Sequence, residues 1–372
     1  MKIGIVDADL IARKRHRFPN LACMKLSAYE KAAGNNVDLV MDYSNVQEYD
    51  RVYISKVFTD TPVPQDILSL PCVTIGGTGF FCDKAPPLPY EIEHIMPDYH
   101  LYDNFVNQLV SQGAKHCEIK YYTDYSIGFA TRGCIRGCSF CVNKHYQRCS
   151  LHSPVEEFVD PSRKYICLLD DNILACKDWR SVFDQLNATG KRFQFKQGMD
   201  ERLLTDEKCK VIFSSNWIGD YIFAFDNIRD RGIIESKLQL MRKYSHVIPT
   251  FYVFCAFNHH SPDNYSESFW LNDLRDVFER IRILFRYQAR PYIMRYKDYE
   301  LAPNPYRGIY ITLARWSNQP SMIKKKSFRE YSMMANGLYG AAHRYLMDFE
   351  KLHPDFASEY FDMKWNDFLS KK

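Results

Sequence analysis

Over the first hundred residues, short apolar runs alternate with stretches of helical periodicity, the pattern of a parallel α/β sheet. Strands are predicted over 2–6, 37–41, 51–58 and 72–75, the last running into Gly76-Gly77-Thr78-Gly79. Between the first two, residues 21–33 predict a helix with Leu21, Met24 and Ala28 on one side, closed by Gly34. Pro86, Pro87, Pro89 and Pro97 then break any regular element over 82–98, which marks a linker and a domain boundary. A second alternation follows, with strands predicted over 126–130, 165–169, 192–196, 221–225, 249–255 and 291–295. Helical patterns separate them, such as Trp179-Val182-Phe183-Leu186 and Trp270-Leu274-Val277-Phe278-Ile281-Phe285. Six strands with intervening helices predict an incomplete parallel barrel, and ligands of such folds bind where the strands end. Beyond Asp298 the sequence turns proline-rich and then helical, with two helices expected from Ser327 onward, split by His353-Pro354. Their aromatic residues, Tyr331, Tyr339, Tyr345, Phe349, Phe356, Tyr360 and Trp365, are expected to pack against a neighbouring domain. The expected division is 1–98, 99–298 and 299–372.

Composition adds little beyond a globular class: 46% of the 372 residues are hydrophobic and 25% charged. No apolar run reaches the roughly eighteen residues of a membrane span, and the start reads as a strand and not as a signal peptide. A cytoplasmic, reducing location is therefore expected for the 12 cysteines, so clustered ones are metal ligands before they are disulfides. Nine are scattered, and most of them are expected to be small core residues. The net charge of +4 argues for neither nucleic acid nor membrane. The basic runs Arg13-Lys-Arg15-His-Arg17 and Lys324-Lys325-Lys326 read as solvated faces in preference to nucleic-acid contacts.

One segment carries chemistry: Thr131-Arg-Gly-Cys134-Ile-Arg-Gly-Cys138-Ser-Phe-Cys141. Random placement of 12 cysteines would give this C-x3-C-x2-C spacing in roughly one chain in a hundred. Three thiolates leave one iron of a [4Fe-4S] cluster with an open coordination position. Gly133 and Gly137 let the backbone wrap closely, Arg132 and Arg136 are placed to offset negative charge, and Phe140 to shield the cluster. The competing reading is structural zinc, with His145 or Cys149 as fourth ligand. That reading makes the chain a non-catalytic zinc or iron-sulfur module for nucleic-acid binding or electron transfer.

The segment resembles the signature of the radical S-adenosylmethionine (SAM) superfamily, which has this spacing and an aromatic residue before the last cysteine; the resemblance runs to about Arg295. It implies a partial (β/α)6 TIM-type barrel, with Cys134, Cys138 and Cys141 on the cluster and SAM on its open iron. Reductive cleavage would then give a 5′-deoxyadenosyl radical, with a flavodoxin or ferredoxin as reductant and no membrane partner. The resemblance also implies that residues following the barrel strands grip the cosubstrate: Asp170, Asp171 and Asn172; Gln197, Asp200 and Arg202; Asp226; and Arg295. Acids there would hold ribose hydroxyls or the methionine ammonium, and Arg202 or Arg295 the methionine carboxylate. A sulfur-inserting relative would need a second cluster, and no other cysteine group has suitable spacing.

The first hundred residues resemble, in turn, the Rossmann-like cobalamin-binding domain found before some of these barrels. Its pattern D-x-H-x-x-G, S-x-L and G-G is matched by Asp7-Ala-Asp9-Leu-Ile-Ala12, Ser55-Lys-Val57 and Gly76-Gly77. Asp9 stands where the cobalt-ligating histidine would be, Ala12 replaces the glycine, and His16 is out of register. The resemblance leaves two expectations, a corrinoid without a protein ligand or a scaffold that has kept only its fold. If the domain binds cobalamin, methyl transfer to an unreactive carbon is the expected reaction.

Overall fold

The computed structural model describes residues 1–261, 264–335 and 340–368; Tyr339 lies outside them. The chain is a mixed α/β protein with parallel sheets, and it divides into two compact units. One is Met1–Lys196 with Asn216–Ile218; the other is Gln197–Ser215 with Gly219–Lys372.

The first unit begins with a parallel sheet of order β2-β1-β3-β4: β1 Lys2–Asp7, β2 Asn36–Leu39, β3 Arg51–Ser55 and β4 Val73–Gly76. β1 is apolar on both faces because both are covered. Ile3 and Ile5 pack with Leu21, Met24 and Leu26 of helix Leu21–Ala32, and Val6 packs with Val52, Ile54 and Ile67. The helix starts where Asn20 accepts from the Cys23 N–H (3.3 Å) and stops before Gly34, whose φ of 79° only glycine adopts readily. β3 ends three residues short of the sequence expectation because the Val57 N–H turns out of the sheet to the Asp9 carboxylate (2.6 Å).

The proline segment is more than a spacer. It holds a helical turn, Tyr90–Glu93, and Ile92 and Tyr99 belong to the core that runs from Ile3 to Ile127 and Cys167. One hydrophobic core thus spans residue 98, and the division into compact units falls at Lys196. Past that segment the first unit carries a second parallel sheet of order β5-β8-β9: β5 Tyr125–Gly128, β8 Tyr165–Leu168 and β9 Arg192–Phe195. A short antiparallel pair, β6 Thr131–Arg132 and β7 Ser150–Leu151, closes the base of the loop between them.

In the second unit β10 Ile222–Ala224, β11 Thr250–Cys255 and β12 Arg290–Arg295 form another parallel sheet in that order. The six strands expected from the second alternation are thus all present, in two parallel sets of three, one per unit. Helix Glu267–Arg286 buries the stripe read from the sequence, Trp270, Leu274, Val277, Phe278, Ile281 and Phe285. The edge of β12 is sealed by a side chain: Asn318 Oδ1 accepts from Ile293 N (2.7 Å) and its Nδ2 donates to Ile293 O (3.0 Å). The carboxamide satisfies the backbone groups that a next strand would pair. From Ser327 onward three α-helices are present among the described residues, Phe328–Met334, Ala341–Leu352 and Pro354–Tyr360, one more than expected. Phe328, Phe349, Phe356 and Phe361 meet the Phe278 ring or one another with centroids 4.8 to 5.7 Å apart, the packing role the sequence suggested. Among the described residues no helix is long and apolar enough to cross a membrane.

Replacing Asn318 by Leu removes both bonds and leaves the Ile293 amide unpaired against an apolar group. Urea denaturation should show a loss of about 1–3 kcal/mol; a loss within error of zero would show that the seal contributes nothing.

Candidate metal centre

The three cysteines lie on the loop that leaves β6 and returns through β7. The loop doubles back at Gly133, with φ of 97°, where a Cβ would sit 2.2 Å from the Arg148 carbonyl oxygen, so no other residue fits. Successive turns follow: Cys141 N donates to Cys138 O (2.9 Å), Lys144 N to Cys141 O (3.3 Å) and Tyr146 N to Asn143 O (3.2 Å). Cys134, Cys138, Cys141 and Phe140 are half-buried.

What holds this loop is the end of β8. Asp170 is buried and accepts from Thr131 N (2.6 Å), Thr131 Oγ1 (2.6 Å) and Ala130 N (3.2 Å). Burial pushes its carboxyl up to about 7 against the pull of those donors. Asp171 accepts from Gly133 N (2.7 Å) and from Asn143 Nδ2 (2.6 Å), so one carboxylate bridges both sides of the loop. Asn172 Nδ2 donates to Cys134 Sγ (3.4 Å), and Asn143 N donates to Cys141 Sγ (3.4 Å). The sequence reading placed these three residues against a cosubstrate. In the structure the oxygens of Asp170 and Asp171 accept from the cysteine loop. Their backbone partners lie about forty positions away, and an N–H acceptor leaves no mark in a sequence.

Among the described residues no three His, Cys, Asp or Glu side chains converge as ligands of a single ion. The donor set fits a cluster, in which each thiolate takes its own iron: three half-buried sulfurs, two of them receiving N–H donors that favour negative charge. Two residues stand as the fourth ligands expected for zinc. His145 is exposed and lies against Tyr146 (4.2 Å between ring centroids), and burial pushes the Cys149 thiol up to about 12.

Arg132 departs from its expected role beside the cluster. Its guanidinium lies over the Phe129 ring (3.3 Å) and 3.6 Å from Glu93. Glu93, which sequence reasoning missed, also takes the ammonium of buried Lys25 (3.0 Å) and His152 Nε2 (2.9 Å). Burial raises the Glu93 carboxyl, but His152 and Lys25 outweigh it and hold it at about 2.

At the ends of β1, β3 and β4 the corrinoid pattern meets a filled space. Asp9 is buried, and besides the Val57 N–H it accepts from the Thr61 hydroxyl. Ser55 Oγ accepts from Asn20 Nδ2 (3.0 Å). A Cβ on Gly77 would lie 2.3 Å from Lys56 O, and Gly79 N donates to that same oxygen (3.0 Å); Gly76 alone faces open space. Ser55, Gly77 and Asp9 are thus engaged by the chain itself, while Gly76 is not.

In the second unit Gln197 is exposed, and Asp200 and Arg202 come together. Arg202 Nε donates to Asp200 (2.7 Å) and Nη1 to Asp230 (2.7 Å). Asp226 borders a cavity of about 250 Å³ with Asp273, Asp276 and Arg280. Burial raises its carboxyl against the pull of Arg280. Arg280, 2% exposed, donates to Phe225 O (2.7 Å) and Phe254 O (2.9 Å), tying together the ends of β10 and β11. Arg295 lies over the Tyr299 ring (4.2 Å) and has a buried Nη1 without a hydrogen-bond partner.

No protein-family model matches the chain, and no curated protein matches it. Among solved structures it is similar to the radical S-adenosylmethionine methyltransferase TsrM from Kitasatospora setae with cobalamin and a [4Fe-4S] cluster bound. The identity is 11% and the TM-score 0.49, over 79% of this chain and 74% of that one. TsrM with tryptophan substrate and aza-SAM gives 11% and 0.49, over 78% and 72%. The cobalamin-dependent S-adenosylmethionine radical enzyme OxsB, with aqua-cobalamin and S-adenosylmethionine bound, gives 10% and 0.38, over 99% of this chain and 58% of that one. At these values the likeness assigns neither a family nor an activity.

The Glu93 carboxyl is depressed in the folded state, so its contribution is present above its ordinary pKa of 4.5 and is lost as pH falls toward about 2. The contribution is on the order of 3 kcal/mol. Thermal melts between pH 2 and 7 should show a shallower acid limb for Glu93→Gln than for the wild type; parallel limbs would remove Glu93 as the source.

Proposed function

We propose that this chain is a radical SAM enzyme whose [4Fe-4S] cluster is held by Cys134, Cys138 and Cys141. The observation that carries the reading is the cysteine loop itself, with its C-x3-C-x2-C spacing and N–H donors on two of its three sulfurs. Such a cluster, with one iron open, supplies an electron to the sulfonium of S-adenosylmethionine, giving methionine and a 5′-deoxyadenosyl radical.

The chain's own residues do the positioning. Asp170 and Asp171 hold the loop by its backbone, and Gly133 lets it double back. Electrons come from a small reduced protein of the flavodoxin or ferredoxin kind. Cobalamin-dependent methyl transfer is left out of the proposal because Ser55, Gly77 and Asp9 are engaged by neighbouring chain atoms.

After anaerobic reconstitution, the reduced protein should give a cluster electron paramagnetic resonance signal that changes on adding S-adenosylmethionine, with 5′-deoxyadenosine formed. Cys138→Ala should lose both. Bound zinc with no cleavage would leave the non-catalytic module as the function. A separate expectation concerns the first sheet: protein incubated with hydroxocobalamin and passed through a desalting column should retain none, and stoichiometric retention would show that the strand ends open.

A further inference from the structure

We propose that Asn172 sets the reduction potential of the cluster, acting as a positioning residue that hydrogen-bonds the Cys134 sulfur. The inference rests on the cluster reading above and adds to it a residue that is not a ligand.

Asn172 is 3% exposed, and its Nδ2 lies 3.4 Å from Cys134 Sγ. Its ordinary role would be to cap the turn Ile173–Ala175, at whose N-cap it stands, yet the side chain makes no capping bond. The other end of the carboxamide, Oδ1, is buried without a hydrogen-bond partner. A cap or a satisfied core amide would have used that oxygen, whereas here the donor end alone is engaged, and it is engaged by sulfur. Turning the amide over would set the oxygen lone pairs against the sulfur and leave the N–H group without that acceptor. The backbone cannot swing away, because the preceding carboxylate is tied to Gly133 N and Asn143.

An N–H donor to a ligating thiolate favours the more electron-rich state, so it stabilises the reduced cluster and raises the potential. Asn143 N makes the same kind of bond to Cys141, but from the backbone. Asn172 is a donor that substitution can remove.

The test is a potentiometric titration of the reconstituted, SAM-free protein followed by electron paramagnetic resonance, with iron and sulfide assayed in parallel. Asn172→Leu should keep full iron content and shift the midpoint negative. Asn172→Thr, which keeps a hydroxyl donor, should shift it less. An unchanged midpoint in a fully loaded Asn172→Leu protein overturns the inference. So does failure of both folded variants to hold a cluster that the wild type holds, because Asn172 would then be scaffold. A wild type that takes up no cluster fails the reading beneath, and is told apart by that control.

Discussion

Two adjacent carboxylates at the end of β8 bind the backbone of the cysteine loop, and the candidate site depends on that grip. The loop leaves Ile135 and Val142 exposed, so apolar packing does little to shape it. Asp170 fixes its entry at Ala130 and Thr131, and Asp171 clamps Gly133 to Asn143. The cost of burying Asp170, visible in its raised pKa, is offset by three donors that would otherwise lack partners. The next residue reaches the first sulfur because the two before it are fixed.

The same economy of buried charge recurs elsewhere. Asp9 ties the end of β1 to Val57 and Thr61 where a cofactor-binding domain would keep that position for its ligand. Glu93 gathers Lys25, His152 and Arg132, joining helix Leu21–Ala32 to the strand that leads into the cysteine loop. In the second unit Arg280 crosses two strand ends through their carbonyl groups, and Arg202 is locked between Asp200 and Asp230. A charged residue just past a strand looks like a ligand contact in sequence. Here several such residues hold the strand ends in place, because backbone groups left unpaired there need partners as much as a ligand would.

Much of the fold was legible because its determinants are local. Apolar runs of four to six residues located the strands, and residues three and four apart located helices such as Glu267–Arg286. The proline segment was less legible. Prolines break regular structure but do not prevent burial, so Ile92 joined the core, with Leu88 and Met96 against it, from a stretch that read as a linker. The extra break in the terminal helices likewise has no proline to announce it.

The sequence by itself determined the cysteine spacing, the glycines that permit the loop, the alternation of strands and helices, and the substitution of Asp9 for histidine. Each is a property of neighbours along the chain, set by covalent distance and backbone freedom. Only the tertiary structure decided which polar residues serve the loop and which serve the strand ends. Those assignments join positions some forty residues apart through backbone donors and acceptors, which every residue carries, so no residue type reveals them in advance.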